Sequence, residues 1–156
     1  ATIENIHTKE GSTEFGEFRL DVWRDVIFDE HHFSLTKGSP EKVDVPMVRV
    51  QTQSVLQDTL GIDEIGKKWS IRKSLQKISE EGTGVFVLIN HRDAKTYWLS
   101  SLKDENIEPK RNRRVIGIGS QILRSLGLSR INVLGTPTKY SGLSGFNIEI
   151  EGFIDE

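Results

Sequence analysis

Five consecutive apolar residues, Val85-Phe86-Val87-Leu88-Ile89, constrain this chain more than any other stretch. The run is rich in branched and aromatic side chains, too short for a helix, and has no polar face. It therefore reads as a strand covered on both sides, the situation of a central strand in a sheet with helices on its faces. Helical patterns flank it. Ser70 stands where an N-cap is wanted, Ile71, Leu75 and Ile78 follow at helical spacing, and Gly82 lies just past the end. Downstream, Ile118, Ile122, Leu123 and Leu126 form a second stripe closed by Gly127. Ile131-Asn132-Val133-Leu134 is then a short buried strand, broken by Gly135-Thr136-Pro137. Phe146, Ile148 and Ile150 alternate with polar residues as in a half-buried strand.

The first third has a different texture. Phe18, Leu20 and Val22 alternate with Arg19, Asp21 and Trp23, so residues 18–27 are a predicted strand. Asp29-Glu30 turns it, residues 32–36 return, and Gly38-Ser39-Pro40 closes the hairpin. Residues 43–53 are a longer predicted strand, and residues 56–61 a single helical turn. A β-rich N-terminal third followed by β–helix–β units implies a mixed-sheet α/β fold. Residues 1–12 are polar and read as a linker or arm, with an unstructured terminus the competing reading for the first ten. The remaining chain, 13–156, forms one domain. Its first residue is Ala1 rather than Met, which fits a processed chain or a piece of a longer one.

A net charge of −2 exerts no global pull on nucleic acid, and no apolar run approaches the roughly 18 residues of a membrane span. With no cysteine there is neither a disulfide nor a thiolate metal site, and the chain fits a cytoplasmic setting. His7, His31, His32 and His91 show no ligand-like spacing, and His31 and His32 on one strand point to opposite faces. No His/Asp cluster stands out as a metal site. Lys110-Arg111-Asn112-Arg113-Arg114 packs four cations at a helix start. It reads either as an anion site or as a solvated basic loop.

Three motifs carry a family resemblance. Asn112-Arg113-Arg114-Val115-Ile116-Gly117-Ile118-Gly119 resembles a D-x-R-x-Y-G-I-G run, Thr136-Pro137-Thr138-Lys139 a T-N-N-P-x-K loop, and Gly142-Leu143-Ser144-Gly145 a G-L-x-G turn. In that order they resemble GTP cyclohydrolase II, the zinc enzyme that opens the imidazole ring of GTP at the start of riboflavin synthesis. Thr13-Glu14-Phe15-Gly16-Glu17-Phe18 is similar to the segment that begins this domain where it is fused to 3,4-dihydroxy-2-butanone-4-phosphate synthase. The resemblance implies a homodimer and a synthase domain upstream.

It also implies a metal site that this chain lacks. The family's three zinc-binding cysteines fall on Ser54, Ile65 and Lys67. A hydroxyl is a poor zinc ligand, an isoleucine is none, and an ammonium repels the ion. No zinc cofactor is expected. Asn112 replaces the aspartate of the D-x-R motif and cannot take a proton. The cationic positions persist: Arg114 at the arginine implied to meet the α-phosphate, Lys139 in the loop with Thr136, and Arg49 at the arginine of the family's V-R-V strand end. Tyr97 is a weak match for the family tyrosine. The expectation is a catalytically degenerate domain in a structural, dimerisation or regulatory role, with weak binding of phosphate or a nucleotide through Arg49, Arg114, Thr136 and Lys139 and no nucleic-acid or membrane partner. The alternatives are an active cyclohydrolase on GTP or another phosphorylated compound through an unrecognised site, or a nucleotide sensor without turnover.

Overall fold

The computed structural model describes residues 2–62, 69–90, 109–135 and 147–155, with side chains of the last helix from Arg114 onward. Seven strands form one sheet: β1 (Ile3–Thr13), β2 (Gly16–Asp25), β3 (Glu30–Lys37), β4 (Met47–Thr52), β5 (Gly84–Ile89), β6 (Arg130–Leu134) and β7 (Glu149–Ile154). Their spatial order is β1-β2-β3-β5-β4-β6-β7. The first three make an antiparallel meander, and β3 joins β5 antiparallel. From β5 to β7 all neighbours are parallel. The mixed-sheet α/β fold expected from the sequence is the fold observed.

Among the described residues two α-helices complete the layers. α1 (Ile71–Glu81) starts with the Ser70 hydroxyl accepting from Lys73 N and ends at Gly82, whose φ of 85° suits a residue without Cβ. α2 (Pro109–Ser125) begins on a proline, whose missing N–H costs nothing in a first helical turn. β5 is buried on both faces. Val85, Val87 and Ile89 join Ile118, Ile122 and Leu123 in one core cluster, while Phe86 joins Met47, Trp69, Leu75 and Ile78 in the other.

Two expectations change. Residues 1–12 are not an arm, because Ile3–Thr13 is an edge strand paired along β2 from Ile3↔Asp25 to Thr13↔Gly16. Only Ile3 in it is fully buried, so the strand shows no apolar stripe. Its outward-facing charges and its bulge between Asn5 and His7 also suit an unpaired edge. On β2 the apolar alternation does not divide buried from exposed residues. Trp23 enters the core cluster with α2, Phe18 the opposite one, and Asp21 and Asp25 are buried. A strand flanked on both sides and covered on both faces need not obey a two-sided alternation. The strand predicted over 43–53 is shorter, because Pro40–Lys42 forms a 3-10 turn and Pro46 precedes Met47.

Candidate functional site

β4 lies between β5 and β6, and the chain leaves it toward α1 on one face and returns through α2 on the other. Such a reversal opens a crevice at the C-terminal ends of the parallel strands, where ligands of α/β sheets gather. Here the crevice lies between β4 and β6, whose pairing covers only Met47↔Asn132 and Val48↔Val133. Arg49 spans the gap that follows. It donates from one terminal nitrogen to Leu134 O at 3.0 Å, from the other to Trp69 O at 3.1 Å, and from Nε to Gln51 Oε1 at 3.1 Å. The guanidinium thus stitches the separating strands with the planar donor set that arginine supplies.

A cavity of about 110 Å³ opens beside it under α2, lined by Arg49, Val50, Gly119, Ser120, Ile131 and Val133 among others. Typical small-molecule sites start at roughly 300 Å³, so this one is too small for a nucleotide. A Cβ on Gly119 would stand 3.1 Å from Val50 Cγ1, so the glycine serves close approach of helix and strand rather than a dinucleotide fingerprint. A wider cleft of about 420 Å³ between Pro40 and Arg130 lies at the opposite, N-terminal ends of β4 and β6. The crevice rule gives it no role.

Ser54, at the first position of the zinc-ligand pattern, follows β4. Its hydroxyl accepts from Gln57 N at 3.3 Å, and Asp58 Oδ2 accepts from Ser54 N at 2.8 Å. This reciprocal capping begins the single helical turn Val55–Thr59. The hydroxyl therefore serves the backbone. With a hydroxyl so engaged at 54, an isoleucine at 65 and a lysine at 67, the donor set does not fit zinc. Ile65, Lys67, Tyr97, His91, Thr136 and Lys139 lie outside the described residues, as does the side chain of Asn112.

Arg114 has a different environment from the one expected for a phosphate-binding cation. Its guanidinium pairs with the Glu30 carboxylate, whose side chain is only 2% exposed, and lies 3.8 Å from the centre of the Phe28 ring. Glu30 also faces His32 Nε2 at 3.7 Å, and His32 Nδ1 accepts from Asn90 N at 2.9 Å. An acceptor Nδ1 places the imidazole proton on Nε2, toward Glu30. Arg114, Glu30 and His32 so tie the helix to the end of β5 through the hairpin.

Sequence reasoning missed this cluster. Asp25, Glu30 and His32 offer ligand atoms within 4.8 Å of one another, all buried. The signal was present: Asp25 and Glu30 are cross-strand neighbours at the β2–β3 turn, and His32 follows Glu30 by two on the same face. As expected, His31 faces out and His32 in. The trio is nevertheless a poor cation site. Asp25 accepts from Ile27 N at 2.9 Å and Phe28 N at 3.3 Å, and Arg114 already brings a positive charge to Glu30.

Among the described residues no helix is long and apolar enough to cross a membrane.

Comparison with known proteins agrees with this architecture. The chain is 30% identical to a 3,4-dihydroxy-2-butanone 4-phosphate synthase of Pseudomonas aeruginosa over 98% of its own length and 43% of that protein's. It is 31% identical to the riboflavin biosynthesis protein RibBA of Cytophaga hutchinsonii over 88% of its length and 38% of that protein's. A solved structure of RibBX, a two-domain 3,4-dihydroxy-2-butanone 4-phosphate synthase from A. baumannii, superposes with a TM-score of 0.72 at 28% identity. That match covers 99% of this chain and 41% of the other. The chain therefore spans less than half the length of these relatives. The family model described as GTP cyclohydrolase II matches residues 4–155, and the chain belongs to that riboflavin-biosynthesis family.

Proposed function

We propose that this is a GTP cyclohydrolase II-type domain without cyclohydrolase chemistry, serving a structural, dimerisation or regulatory role beside a fused 3,4-dihydroxy-2-butanone 4-phosphate synthase domain. The observation that carries the reading is the Arg114–Glu30 pair. The arginine implied to meet the substrate phosphate already has a carboxylate from its own chain. A phosphate would have to displace a buried anion rather than fill an open site, and that competition costs binding energy. Arg49 supports the same reading, since its donors serve Leu134, Trp69 and Gln51. Ser54, Ile65 and Lys67 supply no thiolate, so the family's three ligand positions offer nothing that would hold a zinc to acidify a water there.

The names of the relatives support the second half of the proposal. Similar chains occur within proteins called 3,4-dihydroxy-2-butanone 4-phosphate synthase, and this domain accounts for somewhat under half of each. An accessory domain needs no active site of its own, and its role is met by a stable core and a surface that docks.

The test combines three measurements on the purified protein after zinc repletion and dialysis. Elemental analysis is expected to find no stoichiometric zinc in this domain. GTP supplied with zinc and magnesium is expected to remain intact. Calorimetry with pyrophosphate at low salt is expected to show no binding tighter than about millimolar, or roughly −4 kcal/mol. GTP consumption that disappears in Arg114→Ala would overturn the proposal, as would one tightly held zinc per domain.

A further inference from the structure

The β2–β3 turn presents Val26, Ile27 and Phe28 to solvent at 45, 65 and 46% exposure. Three adjacent apolar side chains at an exposed turn are unusual, because turns favour polar residues and a run of this kind raises the aggregation risk unless something covers it. The turn is also held firmly. The buried Asp25 carboxylate accepts from Ile27 N and Phe28 N, Asp29 takes a positive φ of 51° while its carboxylate receives Arg24 Nε at 3.2 Å, and the Arg114 guanidinium stacks on Phe28. One buried carboxylate, helped by charges nearer the surface, thus holds the apolar tip in one shape. Fixing it beforehand lowers the ordering cost of docking.

The start of the chain lies at this tip. Val26 N donates to Thr2 O at 3.0 Å, and Thr2 N donates to Gln121 Oε1 on α2 at 3.0 Å. Any domain that precedes residue 2 enters the fold beside Val26–Phe28. The relatives provide a measure of what such a domain would be, since this chain covers 43% of the Pseudomonas synthase and 41% of the two-domain RibBX chain.

We infer that Val26, Ile27 and Phe28 form the docking anchor for the synthase-type domain fused upstream of residue 1. The inference rests on the accessory-domain reading above and adds to it the surface through which the two halves meet. The size of the tip argues for a tethered occupant rather than a second copy. Partners that meet from free solution bury about 800 Å² each, far more than three side chains offer. A covalently joined domain faces an effective concentration in the millimolar range, at which a small, rigid apolar anchor suffices. Apolar contact from the synthase-type domain would cover the tip, leaving the polar rim of Arg24 and Asp29 in water.

The experiment uses the full-length protein as encoded. Residues 1–156 contain no cysteine, so Ile27→Cys and, as a reference, Leu60→Cys each report on one place, with labelled peptides assigned by mass spectrometry. Leu60 is comparably exposed at 63% and directly follows the helical turn Val55–Thr59 after β4. Maleimide labelling at position 27 is expected to be at least tenfold slower than at position 60, and the ratio should not change with protein concentration. Hydroxyl-radical footprinting of Phe28 in the unmodified protein reads the same coverage without a substitution, and Phe28 should be protected against the unfolded chain. Equal labelling at both positions, or an unprotected Phe28, overturns the docking inference. Protection that fades on dilution assigns the tip to a second copy and also overturns it. An upstream sequence that encodes no synthase-type domain instead sinks the accessory-domain reading. A synthase-type domain with a freely labelled tip sinks the docking alone, so the two failures are distinguishable.

Discussion

Replacing Arg114 by alanine tests how the charged cluster is used. The Glu30 side chain is 2% exposed and Arg114 24%, so the substitution takes the guanidinium away from a carboxylate held inside the fold, with His32 Nε2 at 3.7 Å. Removing one partner of a buried ion pair costs about 3–5 kcal/mol, most of it from the uncompensated charge left behind. Loss of the guanidinium over Phe28 adds roughly 0.5–1 kcal/mol. With a urea m-value of about 2–3 kcal/mol/M, a loss of ~4 kcal/mol lowers the unfolding midpoint by roughly 1.3–2 M. Changing both residues, Arg114→Met with Glu30→Leu, removes the pair without stranding either charge and is expected to be close to neutral. Equilibrium urea unfolding of the wild type, both single variants and the double variant closes the cycle. Coupling between the two sites under about 1 kcal/mol would refute the reasoning, because Arg114 would then not be the internal counter-ion of Glu30.

Other elements carry sharper or simpler expectations. Gly84→Ala should destabilise the domain by at least ~3 kcal/mol by urea midpoint, because φ is 152° there and the new Cβ would lie 2.8 Å from Met47 O and 3.0 Å from Ile78 Cγ2. Ser70→Ala should cost about 1 kcal/mol and shorten the protected part of α1 in hydrogen exchange, since the cap to Lys73 N is lost. Arg130 donates to Glu151 at 3.0 Å and holds that carboxyl below the usual glutamate range, first through the hydrogen bond and then through its charge. A folded-state carboxyl lowered in this way adds stability above the unfolded value that is lost as pH falls through the folded one. In Arg130→Ala, NMR titration should find the Glu151 midpoint moved up toward the ordinary value. Added salt should move it the same way in the wild type, because the pair faces solvent.

Much of the fold was legible because its signals are local. Ser70 and Gly82 bracket α1, the apolar run Val85–Ile89 is the doubly buried β5, and Gly127 with φ 88° ends the helical stripe of α2. Each depends on a few neighbouring residues and on periodicity, and tertiary packing did not override it. β1 was hidden because an edge strand exposes nearly every side chain. Its identity lies in backbone pairing with β2, which leaves no apolar pattern to read. The buried positions of β2 do not follow its apolar alternation, because its partners are nonlocal. Trp23 is buried against the α2 side and donates from its indole N–H to Ser34 Oγ at 2.9 Å, a contact that alternation alone does not specify.

The site was legible in chemistry and not in use. Reading Ser54, Ile65 and Lys67 one by one is enough to argue against a thiolate zinc centre, because ligand identity is a property of single residues. The role of an arginine is a property of its partner, and the partner of Arg114 is Glu30, 84 residues earlier. From sequence alone, a guanidinium at a helix start looks available to an anion. In the fold the anion is supplied by the β2–β3 hairpin, at the foot of the turn that displays Val26, Ile27 and Phe28. The carboxylate that pairs with Arg114 therefore also helps to hold the apolar tip in place through Arg114 and Phe28. This links the two roles physically. In Arg114→Ala the Phe28 ring should lose its fixed position, and maleimide labelling at Ile27→Cys should quicken even in molecules that remain folded. If labelling stays unchanged while stability falls, the ion pair supports the core but does not shape the docking surface.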